Sequence, residues 1–115
     1  MIENELLAKL LVFRSEREWE QFHTPKNLSA ALCVEAAELL EQFQWARDSE
    51  LAELVIRERE SIEHEIADIA ILLSYLCHDL NICLSDVVSR KLELNREKYP
   101  IEKARGTAIK YDRLT

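Results

Sequence analysis

The sequence predicts an all-α protein, and two observations support this prediction. The 115-residue chain contains one glycine and two prolines, and residues 26–99 contain neither. A β-rich domain of this length would need several tight turns, which favour glycine, proline or Asn-Gly. Apolar residues instead recur at helical spacing, and no strand-length alternating segment stands out. We expect a bundle of four to five helices that forms a single domain over residues 1–115, with about residues 101–115 as an extended C-terminal arm.

The first two helices are separated by a proline. The first helix is predicted over about residues 3–22, because proline disfavours helical backbone in the residue before it and Pro25 follows closely. The second helix is predicted over about residues 28–43. Asn27 is its predicted N-cap, since asparagine can accept a hydrogen bond from the first turn.

The remaining helical stretch leaves one alternative open. Asp48 or Ser49 is predicted to cap a segment that continues to about residue 80. This segment is compatible with one long helix, or with a short helix followed by a longer one from about residue 57. The last helix is predicted from about Ser85, its N-cap, to residues 99–100.

Composition and charge exclude several classes of function. The formal net charge of −7 argues against a general nucleic-acid-binding protein, which needs a basic surface to replace counterions. Three cysteines lie in apolar stretches without a Cys-x-x-Cys pair, as is typical of reduced thiols in a cytosolic protein. The first residues do not resemble a signal peptide, and the most apolar run, residues 66–77, is too short to span a bilayer. We expect a cytoplasmic protein with neither nucleic-acid nor membrane partners.

Two pairs of acidic residues form the candidate site. Glu35 and Glu38 lie three residues apart in the second predicted helix, and Glu65 and Asp68 lie three apart in the next. This spacing places both members of a pair on one helix face, about 5–6 Å apart at Cβ, where like charges repel. The second pair also stands at the head of the most hydrophobic part of the chain, where an unpaired carboxylate is costly. Helices packed about 8–10 Å apart would let the four carboxylates converge, and a hard divalent cation such as Mg²⁺ would stabilise them.

Other interpretations of these acidic pairs are open. Each pair taken alone is also typical of a solvated helix face. A ferritin-like di-iron bundle requires Glu-x-x-His on two helices, and only Glu20 and His23 have this spacing. A non-catalytic helical interaction module, such as a dimerising regulator, would explain the helicity and acidity but not acidic pairs entering apolar helix faces.

The order of motifs along the chain resembles the MazG-type all-α nucleoside triphosphate pyrophosphohydrolases, most closely the dCTP pyrophosphatase branch. The motifs are FHTPKNL at 22–28, EAAE at 35–38, FQW at 43–45, EIAD at 65–68 and KLELNREKYP at 91–100. The resemblance implies a helical bundle that assembles into dimers or tetramers. It also implies Mg²⁺-dependent cleavage, with Mn²⁺ as an alternative ion, between the α- and β-phosphates of a nucleoside triphosphate. The products would be a nucleoside monophosphate and pyrophosphate, and the first expected substrate is dCTP or a related deoxynucleotide. The implied biological role is house-cleaning of the nucleotide pool.

The resemblance assigns residues to the metal and the nucleotide. The implied magnesium ligands and catalytic carboxylates are Glu35, Glu38, Glu65 and Asp68. Lysine and asparagine recur on one face of the last helix, which alone is typical of a basic helix end that complements the helix dipole. The resemblance makes this face a phosphate and sugar site formed by Lys91, Asn95, Lys98 and Tyr99. An aromatic face can stack on a nucleobase, and the implied base pocket comprises Trp19 and Trp45, with His23 and Asn27 nearby in sequence.

The sequence departs from the family pattern at four positions. His64 stands where relatives often have an acid, and Leu72 stands where the dCTP branch has a tyrosine. Ala36 and Ala37 occupy positions where relatives often have a glycine. These departures leave the expected metal site intact and leave the base preference open.

Overall fold

The computed structural model describes residues 2–115 and confirms the all-α prediction. Within this range the chain forms six α-helices and three short 3₁₀ helices, without a strand. The α-helices are α1 (Asn4–Glu16), α2 (Pro25–Glu41), α3 (Leu51–Arg57), α4 (Arg59–Asp79), α5 (Leu84–Lys98) and α6 (Ile101–Ala104). The 3₁₀ helices are Glu20–Phe22, Asp48–Glu50 and Tyr111–Arg113. Residues 2–81 and 82–115 form two compact units, and the predicted single domain stays a prediction.

Helix α1 is shorter than predicted, because it ends at Glu16 instead of continuing to residue 22. Glu18 has a positive φ of 54°, which an α-helix does not allow. The backbone N–H of Trp19 then donates to the carbonyl of Arg14 over 3.2 Å. Neither glycine nor proline marks this break, so helical periodicity alone predicted a continuous helix.

Two predicted N-caps are wrong. Thr24 rather than Asn27 caps α2, and its hydroxyl oxygen accepts a hydrogen bond from the backbone N–H of Asn27 over 3.1 Å. Pro25 takes the first helical position, where a residue without an N–H is favourable. Cys83 rather than Ser85 precedes α5, without a capping bond from its side chain.

The segment after α2 adopts the second of the two predicted forms. A short helix, α3, is followed by the longer α4, and the break lies at Glu58, whose φ and ψ of −102° and 19° are not helical. Asp48, a predicted cap, instead begins a 3₁₀ helix that leads into α3.

Helices α2 and α4 form the main packing interface of residues 2–81, and α1 and α3 also contact α4. The rings of His23, which precedes α2, and Tyr75, near the end of α4, lie 5.3 Å apart. Glu35, by contrast, meets Glu65 nearer the start of α4. The two helices therefore run antiparallel, which brings their acidic motifs together. The buried apolar residues of the described chain are Leu28, Leu54, Ile62 and Tyr75.

Residues 101–115 are less extended than predicted, since they contain α6 and the last 3₁₀ helix. The ring of Tyr111, in that 3₁₀ helix, meets the ring of Tyr99 edge-on, with 6.1 Å between centroids. Nζ of Lys98 lies 4.6 Å from the centroid of the same ring. The final segment thus folds back on the end of α5.

In residues 2–115, none of the helices is by itself long and apolar enough to cross a membrane. Helices α4 and α5 meet this criterion of length and composition only when they are counted together across the break between them.

Candidate metal centre and nucleotide site

Three of the four predicted carboxylates meet between α2 and α4. One carboxylate oxygen each from Glu35, Glu38 and Glu65 lies within 4.8 Å of the other two. Positions 35 and 38 share a helix face because they are one turn apart, and Glu65 faces them from α4. All three residues are half-buried. We call this group the carboxylate cluster.

The carboxylate cluster lacks partners for its charge. Oε2 of Glu35 and Oε2 of Glu65 are buried, and none of residues 2–115 donates a hydrogen bond to either atom. The ion pairs found in this part of the chain involve other acids. Buried carboxylate oxygens without a donor or cation are costly. Because oxygen ligands in this number suit a hard divalent cation, the cluster fits Mg²⁺ or Mn²⁺.

Repulsion within the cluster changes its protonation. The adjacent carboxyl of Glu65, which can share a proton, raises the pKa of Glu35, and burial and the charge of Asp68 raise it further. Glu35 in turn raises the pKa of Glu38 by the same kind of contact. A carboxyl that binds its proton more tightly in the folded state opposes folding once it is ionised. The ionised cluster therefore destabilises the metal-free fold.

Asp68 lies outside the group of three. It is one turn beyond Glu65 on α4 and is exposed. Its charge nevertheless contributes to the raised pKa of Glu35, so the two side chains influence one another electrostatically. Its role as a ligand stays a prediction.

The variant Glu35→Gln is expected to raise the Tm of the metal-free protein by a few degrees near pH 7.5, because it removes one repelling charge. The gain should shrink as the pH falls towards the ordinary pKa of glutamate, since the raised pKa of Glu35 makes the native wild type take up a proton before the unfolded chain does. Thermal unfolding in EDTA measures both effects. Glu60→Gln, on an exposed position of α4, is the control and should show no comparable gain. A variant less stable than wild type at every pH would contradict repulsion in the cluster.

A second cluster, which no sequence motif indicated, lies at the other end of the α2–α4 pair. Arg14 of α1 is the one charged residue that is buried among residues 2–115, with 5% of its surface exposed. Its guanidinium donates to both carboxylate oxygens of Asp79, over 2.9 and 2.8 Å, and lies 4.6 Å from the ring centroid of Tyr75. The Tyr75 hydroxyl donates to the carbonyl of Leu10 over 2.8 Å. The one sequence feature that could have indicated the burial of Arg14 is its position one helical turn after the apolar Leu10.

Two predicted base-pocket residues adjoin this second cluster. The ring of His23 lies 6.4 Å from that of Trp19 and 5.3 Å from that of Tyr75. Asn27 is held close by, because its Nδ2 donates to the carbonyl of Phe22 over 2.9 Å. The three predicted residues therefore surround the start of α2.

Trp45 does not join them. It lies in the turn after α2, at the opposite end of that helix, and is 87% exposed. Nothing else in residues 2–81 covers its ring, so a base that stacks on Trp45 would need a second surface to enclose its other side.

The predicted phosphate-binding residues lie on α5 and at its C-terminal end. Lys91 is exposed, whereas Asn95, Lys98 and Tyr99 are half-buried. Spacings of four and three residues place Lys91, Asn95 and Lys98 on one face of the helix. Tyr111, which was not predicted, contacts both Lys98 and Tyr99.

Known proteins agree with the resemblance. The MazG-like family profile matches residues 30–114. Mouse dCTP pyrophosphatase 1 is 41% identical over 101 residues, which cover 86% of this chain and 59% of the mouse protein. Human dCTP pyrophosphatase 1 is 40% identical over 104 residues, which cover 89% of this chain and 61% of the human protein. The chain thus spans about three fifths of the length of these curated relatives.

A solved structure extends the agreement to the fold. The crystal structure of a pyrophosphatase from Archaeoglobus fulgidus matches with a TM-score of 0.81 and 46% sequence identity. The match covers 84% of this chain and 90% of the archaeal chain. The chain belongs to the MazG-like family.

Proposed function

We propose that the chain is a divalent-metal-dependent nucleoside triphosphate pyrophosphohydrolase that releases a nucleoside monophosphate and pyrophosphate. The observation that supports this proposal best is the carboxylate cluster of Glu35, Glu38 and Glu65, with its two buried oxygens that lack a donor. The names of its relatives, dCTP pyrophosphatase and pyrophosphatase, support the same reaction. We propose dCTP as the first substrate and related deoxynucleotides after it.

The carboxylates perform two tasks in the proposed reaction. Glu35, Glu38 and Glu65, with Asp68 as the proposed fourth ligand, would hold Mg²⁺ or Mn²⁺. When bound, such an ion neutralises phosphate charge and lowers the pKa of a water molecule. A carboxylate that is not fully used in coordination accepts the proton of the attacking water. The water oxygen bonds to the α-phosphorus while the bond from that phosphorus to the α–β bridging oxygen breaks. Pyrophosphate leaves with the electron pair of the broken bond.

The phosphates of the nucleotide need positively charged partners on this chain, because the chain as a whole carries a net charge of −7. Lys91 and Lys98 offer charge to phosphate oxygens, and the Asn95 amide offers a donor and an acceptor to phosphate or sugar. Tyr99 directly follows Lys98 on the same segment.

The base is proposed to bind near the start of α2. Tyr75, the neighbour of His23, lies ten positions after Glu65 on α4, which at the helical rise corresponds to about 15 Å. This separation is similar to the length of an extended nucleoside triphosphate. Trp19 would stack on the base, and His23 and Asn27 would contact its polar edge. Trp45 would contribute from an adjacent copy.

We further propose that the chain acts as a dimer or tetramer. Large apolar side chains stay exposed on helices around the cluster, and they include Val34, Leu40, Ile56 and Ile66. A small protein with this much apolar surface is stabilised by burying it against a second copy. Sedimentation equilibrium should give the mass of a dimer or tetramer. A fully active monomer at micromolar concentration would contradict the proposal.

A panel of nucleotides tests the proposed reaction. Each ribo- and deoxyribonucleoside triphosphate is incubated with the protein and Mg²⁺, and the products are separated by ion-exchange chromatography. We expect a monophosphate and pyrophosphate, with the highest kcat/KM for dCTP and no turnover in EDTA. Release of orthophosphate, or no turnover of any triphosphate with Mg²⁺ or Mn²⁺, would contradict the proposal and favour a non-catalytic interaction module.

A further inference from the structure

The guanidinium of Arg14 is held in one orientation. Two parallel hydrogen bonds to the carboxylate of Asp79 set its plane, and the ring of Tyr75 lies against it. Bidentate pairs of this kind combine strong hydrogen bonds with a defined geometry. Only 6% of the Arg14 side chain is exposed, so the group has little freedom to turn towards solvent.

One N–H of this group points at a histidine. Nη1 of Arg14 lies 3.4 Å from Nδ1 of His23, and the same nitrogen donates to Asp79 over 2.9 Å. A guanidinium Nη carries two hydrogens, so both contacts can be made at once. Because arginine has donors only, Nδ1 of His23 must be the acceptor. The proton of the neutral ring then lies on Nε2.

The surroundings keep this ring neutral. Burial lowers the pKa of His23, and the charge of Arg14 lowers it further. Asp79 on α4 and Glu20 in the first 3₁₀ helix act in the opposite direction. The net shift is downward, so the ring is an uncharged donor at neutral pH.

We propose that Arg14 is a positioning residue that fixes His23 as the Nε2–H tautomer, and that His23 donates this hydrogen bond to the nucleobase. The inference rests on the proposed function, and it names the chemistry that the pocket recognises. The matching group is a carbonyl oxygen or an unprotonated ring nitrogen on the base, because an N–H donor cannot pair with an amino group in the same way. Trp19, next to His23, would stack on that base.

The tautomer can be measured without turnover. In protein labelled with ¹⁵N-histidine, long-range ¹H–¹⁵N correlation spectra distinguish a protonated from an unprotonated ring nitrogen. His23→Phe assigns the signal, and the exposed His64 and His78 serve as internal references. We expect a bare Nδ1 and a protonated Nε2 at about pH 7.5. A protonated Nδ1, or a doubly protonated ring, would overturn the inference.

The variant that removes the donor is Arg14→Met combined with Asp79→Leu, since replacing both partners leaves no unpaired buried charge. We expect His23 to become a mixture of tautomers and the KM for the triphosphate to rise about tenfold, with kcat within about twofold. Arg59→Met is the matched control, because Arg59 forms an exposed ion pair with Glu63 over 2.9 Å. It should change neither the spectrum nor KM.

A double-mutant cycle separates positioning from a merely structural effect. In the His23→Phe background, the Arg14→Met/Asp79→Leu change should add no further rise in KM, because both act through the same hydrogen bond. Two results would overturn this inference alone, provided that the wild-type protein hydrolyses the triphosphate normally. One is an additive effect of the two changes on KM, and the other is an unchanged KM in the Arg14→Met/Asp79→Leu variant. A wild-type protein that hydrolyses no triphosphate would instead overturn the proposed function and, with it, the role in base recognition.

Discussion

Glu65→Gln is expected to lower kcat/KM for the preferred triphosphate by about a thousandfold. Glu65 is the α4 member of the carboxylate cluster, and its Oε2 is buried without a donor. Glutamine keeps the size of the side chain but offers a metal one neutral oxygen, and its amide can donate to the neighbouring Glu35. A thousandfold loss corresponds to about 4 kcal/mol of transition-state stabilisation, which is within the several kcal/mol that a catalytic metal supplies.

Steady-state kinetics at saturating Mg²⁺ measure this loss, and circular dichroism checks that the helices are retained. Glu60→Gln, at an exposed position on the same helix, is the control and should keep kcat/KM within about twofold. Activity of Glu65→Gln within about tenfold of wild type would contradict a metal at the cluster. The proposed fourth ligand is tested alongside, since Asp68→Asn should then lose activity on a similar scale.

Asp79→Ala is expected to lower the free energy of unfolding by about 3 kcal/mol, at the low end of the range for breaking a buried ion pair. Asp79 is partly accessible, with 27% of its side chain exposed, whereas Arg14 is almost enclosed. Without its anion, the guanidinium is left buried and uncompensated. Its Nε already lacks an acceptor among residues 2–115, so local rearrangement offers little relief.

The same ion pair makes stability depend on pH. Hydrogen bonds from Arg14 hold the pKa of Asp79 below its usual value. Such a carboxyl contributes stability that is complete above its unfolded pKa and is lost as the pH falls through its folded pKa. The difference between wild type and Asp79→Ala should therefore be constant near neutral pH and should disappear only in strongly acidic solution.

Urea unfolding at neutral pH measures the effect of Asp79→Ala. Glu63→Ala is the matched control, because it breaks an exposed pair with Arg59 that is worth only about 0.3–0.5 kcal/mol. Arg14→Met with Asp79→Leu should recover most of the lost stability, since no buried charge remains unpaired. A loss below about 1 kcal/mol for Asp79→Ala would show that Arg14 is solvated rather than buried.

The parts of the fold that could be predicted depend on composition and on repeated spacing. The absence of glycine and proline from residues 26–99 excludes most tight turns, so the all-α class follows from local chemistry. The acidic pairs could be found for a similar reason. Their spacing of three residues fixes a shared helix face, and their apolar neighbours make that face unusual.

The parts that were missed depend on contacts between distant residues or on single backbone angles. The end of α1 is set by a positive φ at Glu18, which no breaker residue announces. Arg14 looks like an ordinary helix residue until Asp79, 65 positions away, is placed beside it. The N-cap Thr24 directly precedes Pro25, and a proline at this point is compatible both with the end of one helix and with the first position of the next.

Anomalous diffraction from crystals soaked in MnCl₂ tests the proposed metal centre most directly. We predict a manganese peak within bonding distance of the carboxylate oxygens of Glu35, Glu38 and Glu65, and its absence from crystals of Glu65→Gln. A protein whose turnover requires Mn²⁺, but whose manganese peak lies away from these three side chains, would contradict the assignment of the carboxylate cluster as the metal site.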